Sequence, residues 1–177
     1  MAHDLPPNPV RDHLLTIIRA PSLLPTPELV ESIRAVQARL LSTVESLPDA
    51  SAARSRDPGA WSVRDLLRHV IDAEERVTAQ IASLSAGRTP PEYNVLPGEP
   101  MQIAETSDTH AGILERLRRT NALMLEAVHL LERDVDLTLT SSHDFFGPLN
   151  AREWAGFQVF HDTDHTAHAV TLVASAP

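Results

Sequence analysis

The chain has 177 residues, with 24 acidic against 15 basic side chains, a formal charge of −9 and 42% hydrophobic content. That length accommodates one domain with a sizeable core, no apolar run approaches the ~20 residues that span a bilayer, and an acidic chain without a basic patch is a poor partner for nucleic acid. All 15 basic residues are arginine and cysteine is absent, so lysine Schiff-base chemistry, a protein thiol nucleophile and disulfides are excluded.

Residues 1–25 carry Pro6, Pro7, Pro9, Pro21 and Pro25 around one short amphipathic piece, Asp12 to Arg19. They read as an N-terminal arm with a helical turn or two, packed on a larger body. The first residues lack the basic start and apolar run of a secretory signal, which predicts a cytoplasmic protein. Residues 26–177 form the single main domain. Thr26-Pro27-Glu28 reads as a helix start with Thr26 as N-cap, and Leu29, Ile33, Val36, Leu40, Val44 and Leu47 continue at helical spacing towards Pro48.

A second helix is expected from Ser62, where Asp65 completes a capping box, to about Gly87. Its apolar stripe is Leu66, Leu67, Val70, Ile71, Val77, Ile81 and Leu84. Four prolines between 88 and 106 make a long connection, long enough for a crossover. A third helix follows from Ser107 or Asp108 to about Arg133, with Leu114, Leu117, Met124, Val128 and Leu131 inside. Arg116, Arg118 and Arg119 lie on it beside Glu115 and Glu126, and so make no basic patch. The alternation of Val135, Leu137 and Leu139 predicts an extended segment, Phe145-Phe146-Gly147-Pro148 a turn, and Asn150-x-x-Glu153 the cap of a fourth helix. Four long helices with long connections indicate an all-α protein, an antiparallel or crossover four-helix bundle.

The fourth helix places His161, His165 and His168 at i, i+4 and i+7, within roughly 60° of one another and in the stripe of Trp154, Phe157 and Leu172. A neutral imidazole is a common transition-metal ligand, and an i, i+4 pair can reach one ion without bending the helix. The pair therefore reads either as two ligands or as two buried, hydrogen-bonded histidines. His168 reads as a fourth ligand, as a hydrogen-bond donor that orients a ligand, or as a polar residue at the open end of the bundle. His69 lies roughly 120° from the apolar centre of the second helix. It is either a ligand facing a groove between helices or a boundary residue.

His110 falls on the inner stripe of the third helix, while His3, His13, His129 and His143 read as surface residues. Glu74 sits at the centre of the second helix's stripe, where burial requires an arginine, a metal or its water, and a buried salt bridge is the simplest account. Asp162 and Asp164 read as solvated helix surface, with the orienting of an imidazole on a neighbouring turn as the alternative. Signatures of the common serine hydrolases, nucleotide-binding loops and zincins are absent.

Trp61-Ser-Val-Arg-Asp-Leu-Leu-Arg-His69-Val-Ile-Asp-Ala-Glu74, followed by His143 to Trp154 and by His161-Asp-Thr-Asp-His165, resembles the DinB-like superfamily of bacterial metal-binding four-helix bundles over roughly residues 26–174. The resemblance implies a crossover bundle that forms a homodimer, with a three-histidine site at His69, His161 and His165 holding nickel or zinc with open positions. Where many relatives carry glutamine after the pair, this chain has His168, and a fourth nitrogen there would close the site.

Members with assigned chemistry resemble bacillithiol or mycothiol S-transferases and a mycothiol-dependent maleylpyruvate isomerase. The resemblance thus implies conjugation of a low-molecular-weight thiol to a small electrophilic substrate. Metal-dependent hydrolysis and a non-catalytic, stress-associated scaffold are the alternatives.

Overall fold

The computed structural model describes residues 7–90 and 109–174. Most of the proline-rich connection, and the start expected at Ser107 or Asp108, lie outside the described residues. Within them the elements are α1 (Pro9–Ser22), α2 (Thr26–Val44), α3 (Asp49–Ala52), α4 (Val63–Ser85), α5 (His110–His129), a hairpin of β1 (Ser141–His143) and β2 (Gly147–Leu149), and α6 (Ala151–Ala174). None of these helices is long and apolar enough to cross a membrane.

The capping residues of α4 and α6 do what their spacing foretells. The Ser62 hydroxyl accepts from Asp65 N at 3.2 Å while Asp65 Oδ2 accepts from Ser62 N at 3.0 Å. Asn150 Oδ1 accepts from the backbone of Arg152 and Glu153, both at 3.0 Å, and Glu153 Oε2 accepts from Asn150 N. Each bond satisfies an amide that the first helical turn leaves without an internal partner.

Elsewhere the local reading changes. The arm's short helical piece is one 14-residue helix, capped by the Asn8 side chain and continuing through Pro21. Thr26 is the first helical residue rather than the N-cap. Its hydroxyl instead donates to Leu131 O at 3.2 Å and accepts from Arg152 Nη1 at 3.1 Å, so it serves a long-range contact. Helix α2 stops at Val44, and α3 occupies the stretch after Pro48. The extended segment expected over Val135 to Leu139 is displaced to 141–143, where Ser141 pairs with Leu149 and His143 with Gly147.

The four long helices make a bundle in which α2 packs on α6 and α5, and α4 packs on α5 and α6. Around the bundle the order is α2, α6, α4, α5, so α2 and α4 face each other across a diagonal, as do α5 and α6. This is the crossover topology. Helix α1 lies outside this ring against α6. Covered by α1, α2 and α4, helix α6 buries five successive residues, Trp154 to Gln158. The approach of α1 is close enough that a Cβ on Gly156 would lie 2.1 Å from Ile18 O.

The core divides into two apolar clusters. One surrounds Trp154 with Ile18, Leu29, Ile33, Val77, Ile81 and Met124; the other gathers Leu40, Leu66, Leu67, Val70, Leu117 and Ala169. Between them on each long helix falls a buried polar side chain: Gln37 on α2, Glu74 on α4, Asn121 on α5, and Gln158 and Asp162 on α6. This polar belt lies beside the histidine level.

Candidate metal centre

Helices α4 and α6 are neighbours, and their contact brings His69 against the His161–His165 pair. His69 Nε2 lies 3.1 Å from His165 Nε2 and 3.3 Å from His161 Nε2. The i, i+4 spacing sets the two α6 rings edge to face with centroids 4.3 Å apart. His69 belongs to this cluster because the edge of the α4 stripe is the side that meets α6.

The donor set fits a small divalent cation. Zinc–nitrogen bonds of about 2.0–2.1 Å at near-tetrahedral angles place ligand atoms roughly 3.3 Å apart, close to the spacing of His69 Nε2 from each of the other two; all three ligand atoms lie within 4.8 Å of one another. Lone pairs must also be free of protons. Burial, reinforced by the charge His161 would carry, lowers the pKa of His69 from its ordinary value to about 4. Burial does the same more strongly at His165, to about 2, with His161 and His69 adding to it. Desolvation and mutual repulsion keep His69 and His165 neutral, which leaves their Nε2 atoms available for coordination.

The outward nitrogens complete the comparison. The Nδ1 atoms of His161 and His165 are buried without a hydrogen-bond partner, and Asp162 Oδ1 lies 3.6 Å from His161 Nδ1. A proton on Nδ1, facing that carboxylate, is the tautomer that frees Nε2.

His168 does not join the triad. Its ring stacks on Trp61 at 6.0 Å and lies 6.4 Å from the His165 ring, while Trp61 packs against His69 at 5.1 Å. Trp61 and His168 thus form a wall beside the three nitrogens. His110 is buried as its stripe position predicts, but its Nε2 donates to Val44 O at 2.9 Å, away from the cluster. The surface reading of His143 is corrected. Its ring packs on Phe146, Trp154 and Phe157, and its Nδ1 accepts from Phe145 N at 3.1 Å, because the hairpin folds it back over α6.

Two carboxylates also depart from the sequence reading. Glu74 is fully buried as expected, but among the described residues its hydrogen bonds come from amides rather than an arginine. Its Oε1 accepts from Gln37 Nε2 at 2.6 Å, and Asn121, with its amide turned to donate to Leu117 O, donates to Oε2 at 2.8 Å. Burial, with the neighbouring charge of Asp162, pushes the Glu74 carboxyl up to about 9. Asp162 is 1% exposed rather than solvated, and accepts from Gln158 Nε2 at 2.8 Å; Asp164 is exposed. Gln37, Asn121 and Gln158 were not singled out from the sequence. Each interrupts an apolar stripe at helical spacing, and that interruption is the signal that marks them.

A four-helix bundle with crossed connections and three imidazoles clustered between two of its helices, a group that could hold a metal ion, defines the class of this protein. The model of the DinB superfamily matches residues 32–169, and the chain belongs to that family. Among solved structures it is similar to TT2238, a four-helix bundle protein, with a TM-score of 0.61 and 22% identity over 81% of this chain and 97% of the other. It is also similar to YfiT from Bacillus subtilis, described as a probable metal-dependent hydrolase with an unusual four-helix bundle topology. That match has a TM-score of 0.63 and 21% identity over 83% of this chain and 85% of the other. No curated protein matches the sequence.

Proposed function

We propose that this chain is a metal-dependent S-transferase in which His69, His161 and His165 hold one divalent cation, nickel or zinc, and a low-molecular-weight thiol is conjugated to a small electrophile. The observation that carries the reading is the convergence of three imidazole nitrogens, with no fourth protein donor in the group among the described residues. Three-ligand sets keep a position for an exogenous ligand, whereas structural sites are closed by four. A cation held there supplies Lewis-acid activation of the thiol at neutral pH.

The remaining work belongs to the protein. Burial keeps His69 and His165 unprotonated, Asp162 favours the Nδ1–H tautomer of His161, and Trp61 with His168 screens one flank from water. The chain has no cysteine, so the sulfur must arrive on a cosubstrate. Hydrolysis is a second reading, supported by the similarity to YfiT, and it uses the same open position for water.

Elemental analysis of the native chain against His69→Ala and His165→Ala variants tests the centre. About one divalent ion per chain, reduced at least tenfold in affinity in either variant, is expected. Retention of stoichiometric metal by both variants refutes the assignment. With the metal loaded, thiol conjugation to a panel of electrophiles separates the chemistries: ester or amide cleavage without conjugation replaces the transferase by the hydrolase. Loss of thermal stability on metal removal, with no turnover of either kind, replaces both by a scaffold.

A further inference from the structure

On the far side of the Trp61–His168 wall lies a cavity of about 370 Å³, within the range of small-ligand sites. Trp61, Val63 and Leu172 give it an apolar floor, continuous with the second core cluster. Its rim is built by the segment between α3 and α4, which contributes Arg54, Arg56 and one carboxylate, Asp57. The arginines of the following helix are engaged: Arg64 pairs with Asp49, and Arg68 with Asp65 at 3.3 Å. Arg54 and Arg56 are exposed and pair with no carboxylate among the described residues.

An apolar floor with unpaired guanidinium groups at its edge is complementary to an organic anion of mixed character. A planar guanidinium matches a carboxylate with two parallel hydrogen bonds, and an indole face accepts a flat or aliphatic body. The same Trp61 ring that floors the cavity touches His69, and His168 reaches towards His165. A molecule seated here is therefore one ring away from the three nitrogens.

We propose that this cavity is the subsite for the substrate, and that the substrate is a small carboxylate with an aromatic or aliphatic body. Arg54 and Arg56 hold the carboxylate, and Trp61 stacks on the body. The role in turnover rests on the metal-dependent reading above, while the binding itself does not.

The probes are 2-naphthoate and its neutral counterpart 2-naphthylmethanol, titrated by calorimetry into metal-loaded native chain, an Arg54→Ala/Arg56→Ala variant and His165→Ala. The expected result is naphthoate binding at least tenfold tighter than the alcohol, a preference lost in the double arginine variant and kept in His165→Ala. Circular dichroism and metal content identical to native confirm that the arginine variant is folded. An Ala60→Phe substitution at the cavity rim is expected to weaken both probes, since Ala60 lines the space they fill.

Equal affinity for the two probes, or a preference that survives removal of both arginines, overturns the subsite. So does binding that disappears in His165→Ala but not in the arginine variant, because the carboxylate then sits on the metal. Absence of binding up to roughly 10 mM overturns it as well. Naphthoate binding with arginine dependence in a chain that takes up no metal leaves the subsite standing and removes the metal-dependent reading. Full metal loading without naphthoate binding does the reverse.

Discussion

Replacing Glu74 by glutamine isolates the energetic consequence of a carboxyl held in the middle of the bundle. In the unfolded chain the group ionises near 4.5; in the folded chain burial holds it protonated up to about 9. Between those values the folded state binds one more proton than the unfolded state. Stability contributed by the neutral acid is therefore complete at low pH and declines as pH rises from 4.5 towards 9. The slope for one proton is about 1.4 kcal/mol per pH unit, so the native chain loses about 2 kcal/mol between pH 7 and pH 8.5 on this account.

Glutamine keeps the size and the acceptor for one amide, and removes the titration. Its own amide faces a second donor, which costs about 1–2 kcal/mol at every pH. Titrating groups common to both proteins largely cancel in the difference between them. Urea unfolding of metal-free native and Glu74→Gln proteins at pH 7 and 8.5 measures the difference. The expected outcome is a gap that shifts by about 2 kcal/mol in favour of the variant. A gap that stays constant across this range refutes a protonated Glu74.

Gly156→Ala forces a methyl group to within 2.1 Å of Ile18 O and is expected to destabilise by about 3 kcal/mol, read as a lowered urea midpoint. His143, whose pKa burial lowers to about 4, adds stability that is present above 6.5 and lost as pH falls to 4. His143→Gln is expected to make the acid side of the stability profile shallower between those values, and an unchanged profile counts against the buried, neutral ring. Asn150→Ala removes the acceptor for two amides of α6 and is expected to cost about 1 kcal/mol in thermal or urea unfolding.

The helices that carry the candidate site were legible because their signals are local. The Ser62–Asp65 and Asn150–Glu153 caps and the histidine spacing within α6 depend on residues a few positions apart. His69 depended on which helix faces α4, a tertiary fact that periodicity does not encode, and the family resemblance supplied it. The buried Asp162 escaped for a related reason. A solvated face was inferred for it from one apolar stripe, whereas α6 is enclosed by three helices and has little outer surface to offer.

Thr26 shows the same limit at smaller scale. Its hydroxyl was free to cap locally, but Arg152 and the Leu131 carbonyl, more than a hundred residues distant, outcompete that role. Gln37, Asn121 and Gln158 were readable as exceptions to their stripes. Only the fold shows that these exceptions lie at one level and answer one another.

The diagonal placement of consecutive helices has a consequence for how the centre comes into being. His69 meets His165 across 96 positions of sequence and His161 across 92. No short-range contact can assemble that triad, and the entropy of closing so large a loop must be offset by the docking of α6 before the nitrogens meet. Metal capture at the proposed centre would therefore report on chain completion: a nascent or truncated polypeptide lacking α6 presents only His69 of the three, and affinity for the ion would separate finished bundles from partial ones.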